Sequence, residues 1–390
     1  MNLTISLNST GNDMILQTIQ MVDLNSQYNK IKTEVDTAFQ EVIDSSVFIN
    51  GKAVNTFEQS LAIYLQSKHV IACANGTDAL QIALMALELE QEDEIIVPAY
   101  TYAATAEVVS LLGLKLVMVD VEMDSFNISV SAIEQAITSK TKVIVPVHLF
   151  GQSADMEPIM EIASKYNLWV IEDNAQSLGS EYTFSDGKTV KTGTIGHIGC
   201  TSFFPSKNLG CFGDGGAICS NNDSLSEKIK MIANHGQKIK DHHSVIGCNS
   251  RLDTIQAAVL NVKLKYFEEH LLARENAAKF YDNTLQHCEF IELPSKMLNA
   301  KHTYNQYTIK VKNGRRDALQ KYLLENNIPS MIYYPIPLYK QDAFKKYVTC
   351  NTEMENTKAL CESVLSIPIH TEMNDEIQNY IVQTIMNFNG

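Results

Sequence analysis

The sequence has a single tryptophan in 390 residues, only nine prolines, no Cys-x-x-Cys pair, and fewer basic than acidic residues, 31 against 45. Each shortage excludes something. A formal net charge of -14 argues against a nucleic-acid binder, which carries a basic face. Any anionic ligand must therefore meet local positive groups or helix ends. The eight cysteines (73, 200, 211, 219, 248, 288, 350, 361) are scattered. They read as buried small hydrophobes in a reducing cytoplasm, without disulfide frame or metal site. No apolar run approaches the roughly 18 to 20 residues of a membrane span. The first basic residue is Lys30, so the amino terminus lacks the charged start of a secretory signal. Residues 1–20 are polar and read as a frayed, disordered extension ahead of Met21.

What is present is a large apolar fraction, 45% against 19% charged, enough for a sizeable core and more than one domain. Apolar runs alternate with helical patterns. Helical spacing occupies about 28–45 and 54–66, before a first strand at His69–Cys73. Strands at Glu94–Val97, Lys115–Val119, Lys142–Val147 and Leu168–Ile171 follow, each separated by a helical stretch. Ile198–Phe203 and Ala217–Ser220 complete seven strands. Such alternation predicts an α/β fold with a mostly parallel seven-stranded sheet flanked by helices. Residues 252–281 read as one nearly unbroken helix. Beyond it the pattern predicts strands at Tyr304–Val311 and Ser330–Tyr334, a helix at Arg315–Glu325 and a last helix from Asp375. We therefore expect a large domain over 21–265 and a smaller α+β domain over 266–390.

In open α/β sheets ligands bind beyond the carboxyl ends of the strands, which directs attention to the residues there. Lys207 follows Pro205 on a turn, with glycines at 210, 213, 215 and 216 leaving space for a flat group to approach its amine. A lysine that is desolvated yet reachable suits condensation with a carbonyl. Asp173 closes an apolar strand, where a carboxylate is costly unless a positive partner meets it. Asn75-Gly76-Thr77-Asp78 lies between strand and helix, where free backbone N–H groups favour a phosphate. Tyr102 offers a ring for stacking and Gln176 a hydrogen bond. Singly, each has a plain structural alternative: a solvated loop lysine, an acid capping the next helix, an N-cap at Thr77 or Asp78, a core aromatic. Together they match the needs of one cofactor, pyridoxal 5'-phosphate.

Five ordered motifs carry a family resemblance: Asn-Gly-Thr-Asp-Ala-Leu (75–80), Glu-Asp-Asn-Ala-Gln-Ser (172–177), Ser-Phe-Phe-Pro-Ser-Lys-Asn-Leu-Gly (202–210), Gly-Asp-Gly-Gly (213–216) and Asn-Ser-Arg-Leu-Asp (249–253). From about Met21 onward the chain resembles the DegT/DnrJ/EryC1/StrS sugar aminotransferases. That resemblance implies the fold type I architecture, pyridoxal 5'-phosphate as cofactor, and a homodimer with active sites at the subunit interface. It implies Lys207 as the lysine that bonds the cofactor, Asp173 facing the pyridine nitrogen, Gln176 near the ring hydroxyl and Tyr102 stacked on the ring. Gly76, Thr77, Ser202 and, from the partner chain, Asn249 match the family's phosphate binders.

Within residues 235–251, Lys238, Lys240, Arg251 and three histidines gather in an otherwise acidic chain, suggesting attraction for a nucleotide diphosphate. With Tyr-Pro-Ile-Pro-Leu (334–338), this segment is similar to that of bacterial aminotransferases acting on UDP-2-acetamido-2-deoxy-3-oxo-glucuronate in O-antigen and related surface-polysaccharide pathways. In that subgroup Arg251 would meet the sugar carboxylate, with Tyr333 and Tyr334 beside the sugar. Two positions depart from the subgroup: Tyr333 replaces a histidine and Asp241 an aromatic. The resemblance implies glutamate as amino donor. The same reaction on a TDP-linked 3- or 4-keto-6-deoxyhexose is the alternative, and a non-catalytic cofactor-binding regulator or scaffold the alternative of another class. Related dehydratases carry histidine in place of the lysine, which Lys207 argues against.

Overall fold

The computed structural model describes residues 19–350 and 354–390. The expectation for residues 1–20 falls almost wholly outside the described residues. Described Ile19 packs on the carboxyl-terminal core.

Two helices come first, α1 (Leu24–Ser45) and α2 (Lys52–Leu65), and then the alternating unit repeats. It runs β1 (His69–Cys73), α3 (Gly76–Ala86), β2 (Glu94–Pro98), α4 (Ala104–Leu111), β3 (Lys115–Val119), α5 (Val130–Ala136), β4 (Thr141–Ile144), α6 (Met156–Tyr166) and β5 (Trp169–Asp173). A short hairpin, β6 (Glu181–Thr183) and β7 (Thr189–Lys191), precedes β8 (Ile198–Ser202), β9 (Gly216–Ser220) and α7 (Asp223–Ala233). The strands are apolar because both faces of the sheet are covered. Ile95, Val97, Leu116, Met118, Val143 and Ile171 face one buried cluster, and Ile96, Val117, Ile144 and Val170 face another. The sheet order is β1-β9-β8-β5-β4-β2-β3, with β9 alone antiparallel to its neighbours.

All seven expected strands are present, and an eighth joins the β3 edge. It is β15 (Val348–Cys350), which returns from the far end of the chain to pair in parallel with Leu116–Met118. Leu338 and Phe344 enter the large core on the way. In chain order before it lie the exposed hairpin β10 (Gln237–Ile239) and β11 (His242–His243), then β12 (Ile291–Glu292), β13 (Ala300–Lys301) and β14 (Tyr307–Val311). Three helices, α10 (Arg316–Glu325), α11 (Glu355–Ser363) and α12 (Asp375–Met386), belong to this part of the chain, and a small sheet, β12-β14-β16 with β16 at Val364–Ile367, packs on α12 around Ile309, Leu365, Ile381 and Ile385.

Two expectations need correction. The long helix over 252–281 is two helices, α8 (Thr254–Lys265) and α9 (Phe267–Leu285), interrupted at Tyr266 (φ -102°, ψ 5°). No proline or glycine marks that break; the Tyr266 hydroxyl is tied instead to Glu34 on α1. Ser330–Tyr334 is not a strand. It meets β16 only at the Met331–Ser366 pair, and its tyrosines then turn towards Tyr100 and Phe150.

Candidate active site

The carboxyl ends of β1, β5 and β8 lie together and carry the candidate residues. Asp173 ends β5 and is 5% exposed. Its backbone is pinned on the β4 side: its N–H donates to Pro146 O (2.9 Å), and His148 N–H donates to its carbonyl (3.1 Å). One carboxylate oxygen, Oδ2, accepts from Thr105 Oγ1 at 2.8 Å, and Oδ1 accepts from Ala175 N–H at 3.2 Å. Burial raises the pKa of this acid, while the two hydrogen bonds and the nearby Lys207 charge pull it back down. The carboxylate thus sits on fixed donors with the half-buried Lys207 amine as neighbour.

Glu172, one residue earlier, points to the other face of the strand and is fully buried. It accepts N–H bonds from Gly193 (2.8 Å), Ile195 (2.7 Å) and Gly196 (2.6 Å), and a bond from His148 Nε2 (2.8 Å). His148 Nδ1 accepts from Ala154 N–H at 3.0 Å, which places the ring proton on Nε2. These bonds hold rigid the strand end that carries Asp173.

Lys207 follows β8 on a tight turn closed by its own N–H to Phe204 O (2.8 Å) and by Cys211 N–H to Phe203 O (2.8 Å). Gly210 is required there, because a Cβ would lie 2.3 Å from Pro205 O. The amine makes no hydrogen bond or ion pair among the described residues. Withdrawal from solvent lowers its pKa to about 8, against the opposing pull of Asp173. An unbonded amine near an acid, giving up its proton more readily than an ordinary lysine, can act as a nucleophile and a proton carrier.

At the start of α3 the helix cap is Asn75, whose side chain accepts from Asp78 N–H at 2.8 Å. Neither Thr77 nor Asp78 is the cap: both lie inside the first turn, where backbone N–H groups lack helical partners. Ser202 packs directly against this turn, and a Cβ on Gly76 would come within 2.7 Å of Ser202 Cβ. Gly76, Thr77 and Ser202 are therefore brought together.

Gln176 is buried and doubly committed. Its Oε1 accepts from Phe150 N–H (2.8 Å) and its Nε2 donates to Tyr334 Oη (3.2 Å). Tyr334 stands 6.1 Å from the ring of Tyr100 and 6.2 Å from that of Tyr102, centroid to centroid. Tyr102 itself is 60% exposed, so it is not a core aromatic. The Tyr333 carbonyl accepts from the Tyr100 hydroxyl.

Asn249 and Arg251 lie elsewhere. They line a polar cleft of about 480 Å³ with Ile49, Asn75, Asp214, Asp253 and Gln256, reaching the α3 cap through Ala74 and Asn75 but including neither Lys207 nor Asp173. Arg251 makes no hydrogen bond or ion pair among the described residues. Lys238 pairs with Glu227, and Asp241 is exposed on the β10–β11 turn. Sequence reasoning missed Thr105, since a threonine in the first turn of α4 carries no signal of its partner. Among the described residues no group of His, Cys, Asp and Glu is arranged to hold a metal, and no helix is long and apolar enough to cross a membrane.

The donor set fits pyridoxal 5'-phosphate: an unbonded, half-buried amine, a buried acid, a glycine-lined helix start for phosphate and an exposed ring at Tyr102. Fold and residues together define a fold type I enzyme that depends on this cofactor. The family profile described as DegT/DnrJ/EryC1/StrS aminotransferase matches residues 29–386, and the chain belongs to that family. It is 43% identical over 352 residues, 90% of this chain and 95% of the relative, to the UDP-2-acetamido-2-deoxy-3-oxo-D-glucuronate aminotransferase of Pseudomonas aeruginosa. It is 41% identical, over 95% of this chain and 98% of the relative, to the pleiotropic regulatory protein of Geobacillus stearothermophilus. A crystal structure of a DegT DnrJ EryC1 StrS aminotransferase from Brucella abortus superposes with a TM-score of 0.91 at 39% identity, covering 95% of this chain and all of that one.

Proposed function

We propose that this aminotransferase moves an amino group from L-glutamate to the C3 keto group of UDP-2-acetamido-2-deoxy-3-oxo-glucuronate, for surface-polysaccharide (O-antigen) synthesis. In this reading it works in the cytoplasm as a homodimer with shared active sites. Residues 21–265 form its cofactor-binding domain and 266–390 its small domain. The observation that carries the substrate choice is the unpaired guanidinium of Arg251 in a polar cleft beside the α3 cap, suited to a sugar carboxylate. The P. aeruginosa relative supports the same choice.

When bound, pyridoxal 5'-phosphate supplies the electron sink for charge developing at the amino donor's Cα. The chain's own residues do the rest. The first turn of α3, with Gly76, Thr77 and Ser202, binds the phosphate, and Asn249 of the partner subunit completes that site. Asp173, braced by Thr105 and Ala175, would face the ring nitrogen and favour its protonated form. Tyr102 would stack on the ring and Gln176 would lie near its hydroxyl, with Tyr334 held beside Gln176 by their hydrogen bond. Lys207 Nζ would accept the proton from the donor's Cα in the first half-reaction and, in a separate transfer, deliver a proton to the sugar carbon in the second, its lowered pKa suiting both directions near neutral pH. Arg251, with Tyr333 and Tyr334, binds the sugar.

The test is to load the protein with pyridoxamine phosphate and offer candidate keto sugars one at a time. Recovery of the aldehyde's absorption with the UDP-linked 3-oxo-uronate is expected. Equal recovery with an uncharged TDP-linked keto-deoxyhexose would replace the uronate reading.

A further inference from the structure

Lys207 has a neighbour with no part in the reaction as described. Asn208 is 7% exposed, and its Nδ2 donates to Thr303 Oγ1 at 2.9 Å and to Leu178 O at 3.4 Å. The amide orientation is determined, because the Leu178 carbonyl can only accept. Thr303, itself 2% exposed, passes the direction on: its Oγ1 donates to Gly151 O at 3.2 Å, and its N–H donates to the same oxygen at 2.8 Å. At Gly151 (φ +106°) a Cβ would lie 2.7 Å from Thr303 Oγ1 and 2.8 Å from Tyr304 N, so the two segments touch backbone to backbone. Adjacent Phe150 accepts Gln306 N–H through its carbonyl (3.3 Å) and donates its own N–H to Gln176 Oε1 (2.8 Å).

A buried, one-directional chain of hydrogen bonds thus runs from the lysine turn to the segment that seats Gln176. The turn has a second anchor at its far end, where Gln256 on α8 accepts from Phe212 N–H at 2.8 Å and donates to its carbonyl at 3.3 Å. That second anchor fixes the turn's exit; only Asn208 acts next to the lysine. Asn208 Oδ1 is meanwhile buried without a partner, an unfavourable arrangement. The amide is held for its donor side.

We propose that Asn208 and Thr303 form a positioning tether, which aims the Lys207 amine by fastening its turn to the 302–306 segment. The inference rests on the reading of Lys207 as the reacting amine. A tether of this kind acts on the transition state's geometry and leaves substrate binding alone.

The experiment compares wild type, Thr303→Val, Thr303→Ser and Asn208→Ala as full-length proteins. In cofactor-free protein, the rate of Lys207 acetylation by acetic anhydride is followed against pH by peptide mass spectrometry. Thr303→Val is isosteric but lacks the hydroxyl. It is expected to let the amine turn to solvent, moving the labelling midpoint from about 8 towards the ordinary lysine value. In loaded protein it is expected to lower kcat on the order of tenfold with the donor KM unchanged. Thr303→Ser restores the hydroxyl and both readouts; Asn208→Ala repeats the loss and stands in if Thr303→Val does not fold. A midpoint and kcat equal to wild type in the folded variants, or no recovery in Thr303→Ser, would overturn the tether. The underlying lysine assignment fails separately, if bound cofactor leaves Lys207 of the wild type open to acetylation.

Discussion

Thr105 Oγ1 donates to Asp173 Oδ2 across 2.8 Å, joining the first turn of α4 to the end of β5 inside the sheet's carboxyl edge. The bond favours the ionised acid in a place where burial disfavours it. Replacing Thr105 by valine removes that donor and keeps the shape. The pKa of Asp173 then rises, so the acidic limb of the kcat profile is expected to move to higher pH, with turnover at neutral pH falling roughly fivefold, the value of about 1 kcal/mol. A pH–rate profile checks it; an unmoved limb means that Asp173 does not hold the ring proton.

Lys207 adds a stability effect of the opposite sign from its use. Its folded pKa, about 8, lies below the ordinary value of 10.5, so the folded state binds the proton less readily than the unfolded chain. The resulting destabilisation is full below about pH 8 and disappears as pH rises towards 10.5. In cofactor-free protein, Lys207→Met is therefore expected to be more stable than wild type at pH 7, by about 1–3 kcal/mol, and equal to it near the top of that range. Denaturant unfolding at several pH values measures this. A gap that grows with pH would show that the amine is paired.

Gly76 touches Ser202 with no room for a methyl group. Gly76→Ala forces apart the helix start and the end of β8. Cofactor affinity, followed by titrating the cofactor-free protein, is expected to fall at least about tenfold, the cost of about 1.4 kcal/mol of misplaced phosphate contact. Unchanged affinity would place the phosphate elsewhere.

Arg251 separates the two substrate readings. Arg251→Ala is expected to lower kcat/KM for a uronate substrate about a hundredfold, as loss of a charged hydrogen-bond partner does, and to affect a neutral sugar far less. Steady-state kinetics with both sugars decides the matter, and equal losses would assign the arginine to phosphate or to structure.

The sequence made the sheet and the reactive residues legible for one physical reason. Strands buried on both faces are continuous apolar runs, and in such sheets the chemistry follows where those runs end, at Asp173 and after Ser202. What escaped notice depends on partners distant in the chain. The break at Tyr266 comes with a hydrogen bond to Glu34, and β15 has meaning only beside β3. β16 follows α11 (Glu355–Ser363) with no glycine or proline between them, so nothing local marks the change from helix to strand. Thr105 and Thr303 carry no motif; their roles appear only once Asp173 and Asn208 are seen beside them. The cap of α3 lies two positions before the motif's threonine and three before its aspartate, because Asn75 reaches Asp78 N–H from the last extended residue.

The account stands on which amine the cofactor joins. Borohydride reduction of the holoprotein, followed by digestion and peptide mass spectrometry, reads that attachment directly. The predicted result is the cofactor's mass on the peptide containing Lys207 and on no other. Label on a different lysine, or a reduced protein that loses all cofactor on denaturation, would contradict it.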